Sequence, residues 1–532
     1  MEKVDFLRKK YPKFIYEKYS YEISGNNLEI FFDFRVEPDI SFKPRVTIEN
    51  IDKSQMEKVE DMALNNLIFN LGLMEIPSYW KATCSPEIEI KAGPLNQEQI
   101  KYPSVVKGGD ERKFIDYPNV VKGGDEQKFI DWWKDLIING MGQFFYENKI
   151  NFRKPSFLKF RVLSGNAAGS RSKNYAAGSR SDILVPMGGG KDSVVTLEIL
   201  KKAKKDIQCF SLNPTEAAKK IIKMAGFNNS IIVKRTIDPK LLELNRRGFL
   251  NGHTPFSAYL AFLSVLLAAI FDFKYIALSN ERSSNEGNVK YLGKIINHQW
   301  SKSFEFEKKF RDYSKKYLAK AVKEDKSSFP PSLPRGGSSV IEYFSFLRPL
   351  YEIQIAKLFS KFPKYFSDFL SCNEAYKTAS GTKLPIKRWC GNCSKCLFVF
   401  ATLYPFTDEK NLIKIWGQNL FENKNLLPVM QDLMGERKFK PFECVGTKKE
   451  SLIAFYLSWK KCGEQFSAEL PFLLKYFEEK ILPRTEPKVL VRGLPKYPNL
   501  EKESKKIINS WNNQHNLPKE GGFEEILKKM VF

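Results

Sequence analysis

An α/β fold built on a parallel sheet is predicted for the middle of this 532-residue chain, and three observations predict it. Short apolar runs at Ile183–Pro186, Ile207–Leu212, Ile231–Arg235 and Tyr275–Leu278 alternate with longer helical patterns. Such alternation implies parallel strands joined by right-handed crossovers. Gly188-Gly189-Gly190 then falls between the first strand and a helix expected to begin near Ser193. Finally, the polar run from Leu278 through Ser279, Asn280 and Glu281 follows the last strand, which puts it on the same rim. Ligands of open α/β sheets sit beyond the carboxyl ends of the strands, at that rim.

The elements on either side follow in order. Residues 1 to about 55 are β-rich, with partial alternation at Tyr21–Ile23 and Leu28–Val36 and a further strand from Ser41 to Ile48. Apolar periodicity predicts a helix from Met56 to Leu71, a loop at Trp80–Pro86 and a second helix from Trp132 to Tyr146. Between these helices a tandem repeat covers 102–131: Tyr102-Pro-Ser-Val-Val-Lys-Gly-Gly-Asp recurs as Tyr117-Pro-Asn-Val-Val-Lys-Gly-Gly-Asp. A smaller duplication, Ala167-Ala-Gly-Ser-Arg-Ser and Ala176-Ala-Gly-Ser-Arg-Ser, precedes the glycine strand. Both read as insertions in surface loops, where added length costs little. Asn213-Pro214-Thr215-Glu216 reads as a helix start capped by Asn213, and Asp238-Pro239 repeats the device. Phe256 to Phe271 is uncharged but short for a bilayer, so it is expected to be a buried core helix. Four regions result: 1–160, β-rich with helices; 182–345, the α/β unit; 346–446, helical with cysteines; and 447–532, helical and polar.

Composition narrows the class less. The net charge of +25 favours an anionic partner, but the lysines are scattered rather than blocked. Eight cysteines, three of them within seven residues, suit a metal site in a reducing compartment better than a disulfide framework. The opening Met1-Glu-Lys-Val-Asp-Phe lacks a signal-peptide core, so a cytoplasmic enzyme is expected, with no membrane partner.

The glycine loop carries the chemistry. Glycines let main-chain N–H groups turn toward a ligand, and the helix start adds unpaired donors and partial positive charge. The pocket therefore suits phosphate: Gly188, Gly189, Gly190 and Ser193 as donors, Lys191 as a full positive charge, Asp192 as a Mg²⁺ ligand. A Walker loop would need Ser or Thr directly after the lysine, where Asp192 stands. Gly-Gly-Lys-Asp-Ser instead resembles the pyrophosphate loop of enzymes that split ATP into AMP and pyrophosphate. That resemblance implies a sheet of the adenine nucleotide alpha hydrolase-like type. The serine usual at the loop's first position is Gly188 here, so one hydroxyl contact is missing.

Two of the chain's three histidines, His253 and His298, lie in polar loops beside the sheet and are acid–base candidates. Cys444, in Glu443-Cys-Val-Gly-Thr447 ahead of a helix, is a candidate nucleophile or base. Cys390, Cys393 and Cys396 have C-x2-C-x2-C spacing and, with Cys372, could hold a structural Zn²⁺. An iron–sulfur run would need cysteine at position 400, which is Phe400.

Taken together, the segments at Asn70–Pro86, Gly188–Ser193, Asn251–Pro255, Leu278–Asn285, His298–Ser303, Trp389–Cys396 and Glu443–Thr447 resemble one family. This is the UDP-N-acetylmuramoyl-L-alanyl-L-glutamate epimerase family of bacterial peptidoglycan synthesis. The resemblance implies inversion of the terminal glutamate through an acyl-adenylate, with ATP and Mg²⁺ consumed to AMP and pyrophosphate. It implies catalytic roles for Lys191, His253, His298 and Cys444, and a UDP-linked muramoyl dipeptide as partner, with nucleic acid not expected. Rival users of such a loop are tRNA-modifying enzymes and the zinc-bearing 7-cyano-7-deazaguanine synthases. A nucleotide-binding regulatory module is the non-enzymatic alternative.

Overall fold

The computed structural model describes residues 3–51, 55, 56, 59, 61–92, 124–162, 182–318, 341–376, 388–437, 440–465, 469–485 and 499–532. Its strands are β1 (Lys13–Ser24), β2 (Asn27–Val36), β3 (Ile40–Phe42), β4 (Arg45–Glu49), β5 (Glu87–Ile90), β6 (Lys159–Val162), β7 (Ile183–Pro186), β8 (Ile207–Leu212), β9 (Ile231–Thr236), β10 (Tyr275–Leu278), β11 (Val289–Tyr291), β12 (Lys294–Ile296) and β13 (Glu342–Ser345). Eleven of them form one sheet in the order β13-β10-β7-β8-β9-β4-β2-β1-β5-β6, with β3 pairing β2 off this path. The predicted α/β core is present, since β13, β10, β7, β8 and β9 are mutually parallel.

The β-rich N-terminal region joins that core through the sheet itself. Strand β4 pairs antiparallel with β9, Arg45 opposite Thr236 and Ile48 opposite Val233. Strand β2 alternates strictly, burying Leu28, Ile30, Phe32, Phe34 and Val36 on one face, as a half-buried strand must. Successive residues of β7 feed opposite layers. Leu184 enters the core shared with the N-terminal helices, and Ile183 and Val185 enter the core shared with the C-terminal helices. The parallel half of the sheet is thus covered on both faces, as parallel strands require.

Several boundaries differ from the sequence reading. The first long helix runs Asp61–Trp80, through Pro77, where periodicity had placed Met56 to Leu71. Leu71, Leu73, Met74, Ile76, Tyr79 and Trp80 are all buried, because the helix lies between β1 and the helix Phe256–Phe271. A helix buried all round has no apolar stripe to mark its end. The helix Phe256–Phe271 has the predicted limits, and no described helix is long and apolar enough to cross a membrane. Asn213 does not cap the next helix. It adopts φ +46° and pairs with the backbone of Arg235, and Thr215 caps Glu216–Met224 instead. Asp238 caps Pro239–Arg246 as expected.

The second repeat copy is not wholly a surface loop. Gly124–Asp131 forms the start of the helix Gly124–Gly140, and Phe129 and Ile130 are buried beside Trp133. A short helix, Gly142–Glu147, follows it. The remainder of the 102–131 repeat and the 167–181 duplication lie outside the described residues.

Candidate functional site

Three adjacent parallel strands, β7, β10 and β13, end on one rim, and the segment after each supplies one carboxylate. Asp192 follows β7, Glu281 follows β10 and Glu352 follows β13. Carboxylate oxygens of the three lie within 4.8 Å of one another. The glycine loop begins at the same edge. Met187 N–H donates to Phe210 at 2.8 Å and its carbonyl accepts from Ser211 Oγ at 2.8 Å, which fixes where the loop starts. Gly189 has φ +83°, and a Cβ there would stand 2.8 Å from Ala218 N, so glycine is required. Gly190 caps the helix Lys191–Lys202 with no side chain over its first N–H groups, leaving them to face the loop. That helix starts two residues earlier than the sequence suggested, which makes Lys191 its first residue.

Lys191 is 1% exposed and is held by Asp192 and Glu352. Glu352 is 2% exposed and also faces Lys395 Nζ at 3.6 Å. Burial alone would push the Glu352 carboxyl up, but Lys191 and Lys395 outweigh it and hold it well below the usual range. Glu281 moves the other way: burial and the charge of Glu352 raise it, only partly offset by Lys302. Crowded carboxylates of this kind are relieved by a proton or by a cation. An oxygen-only set suits Mg²⁺.

Next to this charged end lies a group of imidazoles and a thiol. Lys302 Nζ donates to Cys444 Sγ at 3.3 Å, and Sγ is 3.9 Å from His298 Nε2. His298 Nδ1 pairs with Gln143 Oε1 at 2.5 Å. The His253 ring lies 4.4 Å from that of His298, and its buried Nε2 has no protein partner. Burial, then Lys302 and Lys440, lowers His298 to about 3; burial, then His298 and Lys81, drives His253 well below its ordinary value. Both imidazoles are therefore neutral at pH 7. Lys81, lowered to about 8 by burial and then by Arg235, donates to Gly252 O at 3.1 Å beside them.

Two bridges join the ends. Lys395 contacts Glu352 through Nζ, grips the Cys444 carbonyl through the same atom, and donates its backbone N–H to Glu443 at 2.5 Å. Arg348, fully buried and paired with Glu307 at 3.0 Å, donates to the carbonyls of both Glu281 and Lys302 at 2.5 Å. Three of the catalytic candidates, Lys191, His298 and Cys444, thus fall in one connected polar network, and the fourth, His253, packs its ring against His298. Glu281, Glu352, Lys302, Lys395, Arg348 and Gln143 were not singled out from sequence. A signal existed for Glu352, an acid set among Leu350, Ile353 and Ile355, because a charge on an apolar helix face needs a reason. Gln143 offered none.

The sulfurs of Cys372, Cys390, Cys393 and Cys396 also lie within 4.8 Å of one another. Two separations are 4.0 Å (Cys372 to Cys393) and 3.6 Å (Cys390 to Cys396). Four thiolates at a Zn–S distance of about 2.3 Å stand roughly 3.8 Å apart in a tetrahedron, so the set fits zinc. The cluster backs the glycine loop, since Leu370 N–H donates to Gly189 O at 2.8 Å just before Cys372.

Comparison with known proteins matches the MurL N-terminal domain to residues 5–107 and 117–324 and the MurL C-terminal domain to 368–471. The gap at 108–116 lies inside the first repeat copy. Three similar proteins each bear the name UDP-N-acetyl-alpha-D-muramoyl-L-alanyl-L-glutamate epimerase. That of Xanthomonas oryzae pv. oryzae is 31% identical over 359 residues, covering 66% of this chain and 71% of the relative. That of Micromonospora sp. is 33% identical over 60% of this chain, and that of Salinispora tropica 33% identical over 61%. The chain spans 65% of the length of each of these two, just under two thirds. No solved structure matches the chain. The family model of the N-terminal domain alone covers more than half of the sequence, and the chain belongs to the MurL family.

Proposed function

We propose that this chain inverts the terminal L-glutamate of UDP-N-acetylmuramoyl-L-alanyl-L-glutamate, consuming ATP and releasing AMP and pyrophosphate. The observation that carries the reading is the joining of a phosphate-and-cation end to a neutral imidazole end through Lys395 and Arg348. The relatives' names supply the substrate.

The chemistry explains why both ends are needed. A carboxylate resists loss of the proton on its neighbouring carbon, because the enolate would concentrate negative charge. Transfer of AMP to that carboxylate removes the charge and makes the carbonyl an electron sink. Gly188, Gly189, Gly190 and Ser193, with the helix N-terminus, hold the departing pyrophosphate, and Lys191 stabilises the charge that develops on it. Asp192, Glu281 and Glu352 would hold Mg²⁺, which when bound neutralises phosphate charge. A neutral imidazole, His298 or His253, then takes the proton, and delivery to the opposite face inverts the centre. Water hydrolyses the activated acyl group and returns the carboxylate. A Zn²⁺ held by Cys372, Cys390, Cys393 and Cys396 has a structural role, bracing the segment behind the glycine loop and the start of the helix that carries Lys395.

Incubation of the protein with ATP, Mg²⁺ and the UDP-linked L-Ala-L-Glu compound, followed by chiral analysis of glutamate and assay of the nucleotide, tests this. D-Glutamate with AMP and pyrophosphate is expected. ADP with orthophosphate, or no inversion, contradicts it.

A further inference from the structure

We infer that Cys444 is an acyl acceptor: its thiol takes the activated glutamyl group from AMP, and inversion proceeds on the resulting thioester. This rests on the epimerase reading above and deepens it.

The geometry first removes an alternative. Two acid–base groups serving opposite faces of one carbon must each approach it to about 3–3.5 Å, which sets them roughly 6–7 Å apart. Cys444 Sγ and His298 Nε2 are 3.9 Å apart, too close to admit a tetrahedral carbon between them. They form one relay on one side of the substrate.

That relay is the arrangement of an activated nucleophile. Gln143 donates from its amide nitrogen to Glu147 Oε1 at 2.8 Å, which turns Gln143 Oε1 toward His298. An oxygen at that place accepts, so His298 carries its proton on Nδ1 and presents the Nε2 lone pair to the thiol. On the other side Lys302 Nζ donates to Sγ at 3.3 Å, which fixes the sulfur between the ammonium and the imidazole. Gln143 is thus a positioning residue acting through His298.

Placement relative to the phosphate end completes the case. The Cys444 carbonyl is gripped by Lys395, which faces Glu352, which in turn holds Lys191 of the glycine loop. Cys444 is half-buried rather than enclosed in the core. An acyl group made at the carboxylates would travel along this chain of contacts to reach the sulfur.

The steps balance. Cys444 gives its proton to His298 Nε2, and sulfur attacks the acyl carbon. The C–S bond forms, the bond from that carbon to the phosphate oxygen breaks, and AMP leaves with the oxygen. Sulfur conjugates weakly with the carbonyl, so the thioester's neighbouring proton remains acidic. His298 passes the thiol's proton to solvent, the unpartnered Nε2 of His253 takes the α-proton, and a proton from water adds to the opposite face. Water then adds to the acyl carbon, the C–S bond breaks, and the thiolate takes the proton that the adding water gives up. One ATP and one water are consumed, giving AMP and pyrophosphate.

The test is a rapid acid quench of the full-length protein with ATP, Mg²⁺ and substrate radiolabelled in the glutamate, sampled across the first turnover. Label bound to denatured protein, released by neutral hydroxylamine and mapped to the peptide bearing Cys444, is the expected result. Gln143→Leu should slow labelling about tenfold relative to wild type, and Gln143→Glu, which keeps an acceptor for Nδ1, should restore most of the rate. Inversion and pyrophosphate release by the wild-type protein with no hydroxylamine-labile label at Cys444 overturns the thioester while leaving the epimerase reading intact. Absence of ATP-dependent pyrophosphate release from the wild type overturns both.

Discussion

The carboxylate end of the site and its imidazole–thiol end are built in different ways. Asp192, Glu281 and Glu352 each follow one of three neighbouring parallel strands, so the sheet itself delivers them to one rim. His253, His298, Cys444 and Gln143 come from four loops or short helices scattered from residue 143 to residue 444, and only tertiary packing gathers them. The first end is charged, with Lys191 and Glu352 almost wholly buried. The second is neutral in its imidazoles and half-buried. On the proposed reading, the contrast separates a place for phosphates, whose charge is present before the ligand arrives, from a place where a proton must leave and return. Burial acts in opposite directions on the two: at Glu352 two lysines overcome it, and at His298 two lysines add to it.

The largest expected effect breaks the charged end alone. Lys191→Ala should lower AMP formation by about 10³-fold, because a charge aimed at the developing pyrophosphate is lost. It should also cost about 3–5 kcal/mol of stability by leaving Glu352 less compensated in the interior, which urea titration would read. A breakage at the other end should leave the protein folded. His298→Asn should reduce inversion by about 10²–10⁴-fold with little change in the urea midpoint at pH 7. If both variants lost the same half-reaction to the same degree, the two ends would not be distinct.

The proposed zinc site sharpens the comparison, since the four-cysteine cluster touches both ends: Leu370 beside it supports Gly189, and Lys395 within it grips Cys444. Removal of zinc with a strong chelator should therefore depress pyrophosphate release and inversion together, by about 10–100-fold, as loss of an outer support does. Metal analysis before and after, with restoration by added zinc, checks it.

Acid should act on the neutral end. The unfolded chain binds a proton at a histidine near pH 6.5, whereas native His298 refuses one until about pH 3. Stability then rises with pH between those values, by at most about 1.4 kcal/mol per pH unit for this group, and is flat above them. His298→Asn should flatten part of that slope, with His253 supplying the rest. The smallest effect is a gain. A Cβ on Gly188 meets nothing within 4 Å, so Gly188→Ser restores the missing hydroxyl without a clash and should lower KM for ATP a few-fold.

How much of this was legible beforehand follows the same division. Strand β7, the glycine loop and the helix after it are contiguous, and the cysteine spacing is local, so residue order alone exposed them. Cys372 was recoverable as the fourth sulfur from its place upstream, and its sulfur does lie with the other three. Glu281 stood in a loop already placed on the rim. Glu352 and Lys395 sit inside apolar or cysteine-bearing stretches, where a lone charge gives no partner. Gln143 lies 155 residues from His298, a pairing that no local pattern encodes. Asn213 misled because its side chain satisfies the backbone of Arg235 across the sheet instead of capping the helix beside it. The end of the first long helix was hidden because burial on every side erased its period.

The central claim is that nucleotide activation at one end licenses proton exchange at the other. Running the reaction in deuterium oxide and measuring deuterium at the glutamate α-carbon, with and without ATP, tests it most directly. The account predicts solvent deuterium at that carbon only when ATP and Mg²⁺ are present, accompanied by AMP. Exchange at the same rate without nucleotide, or inversion that retains the original hydrogen, would contradict it.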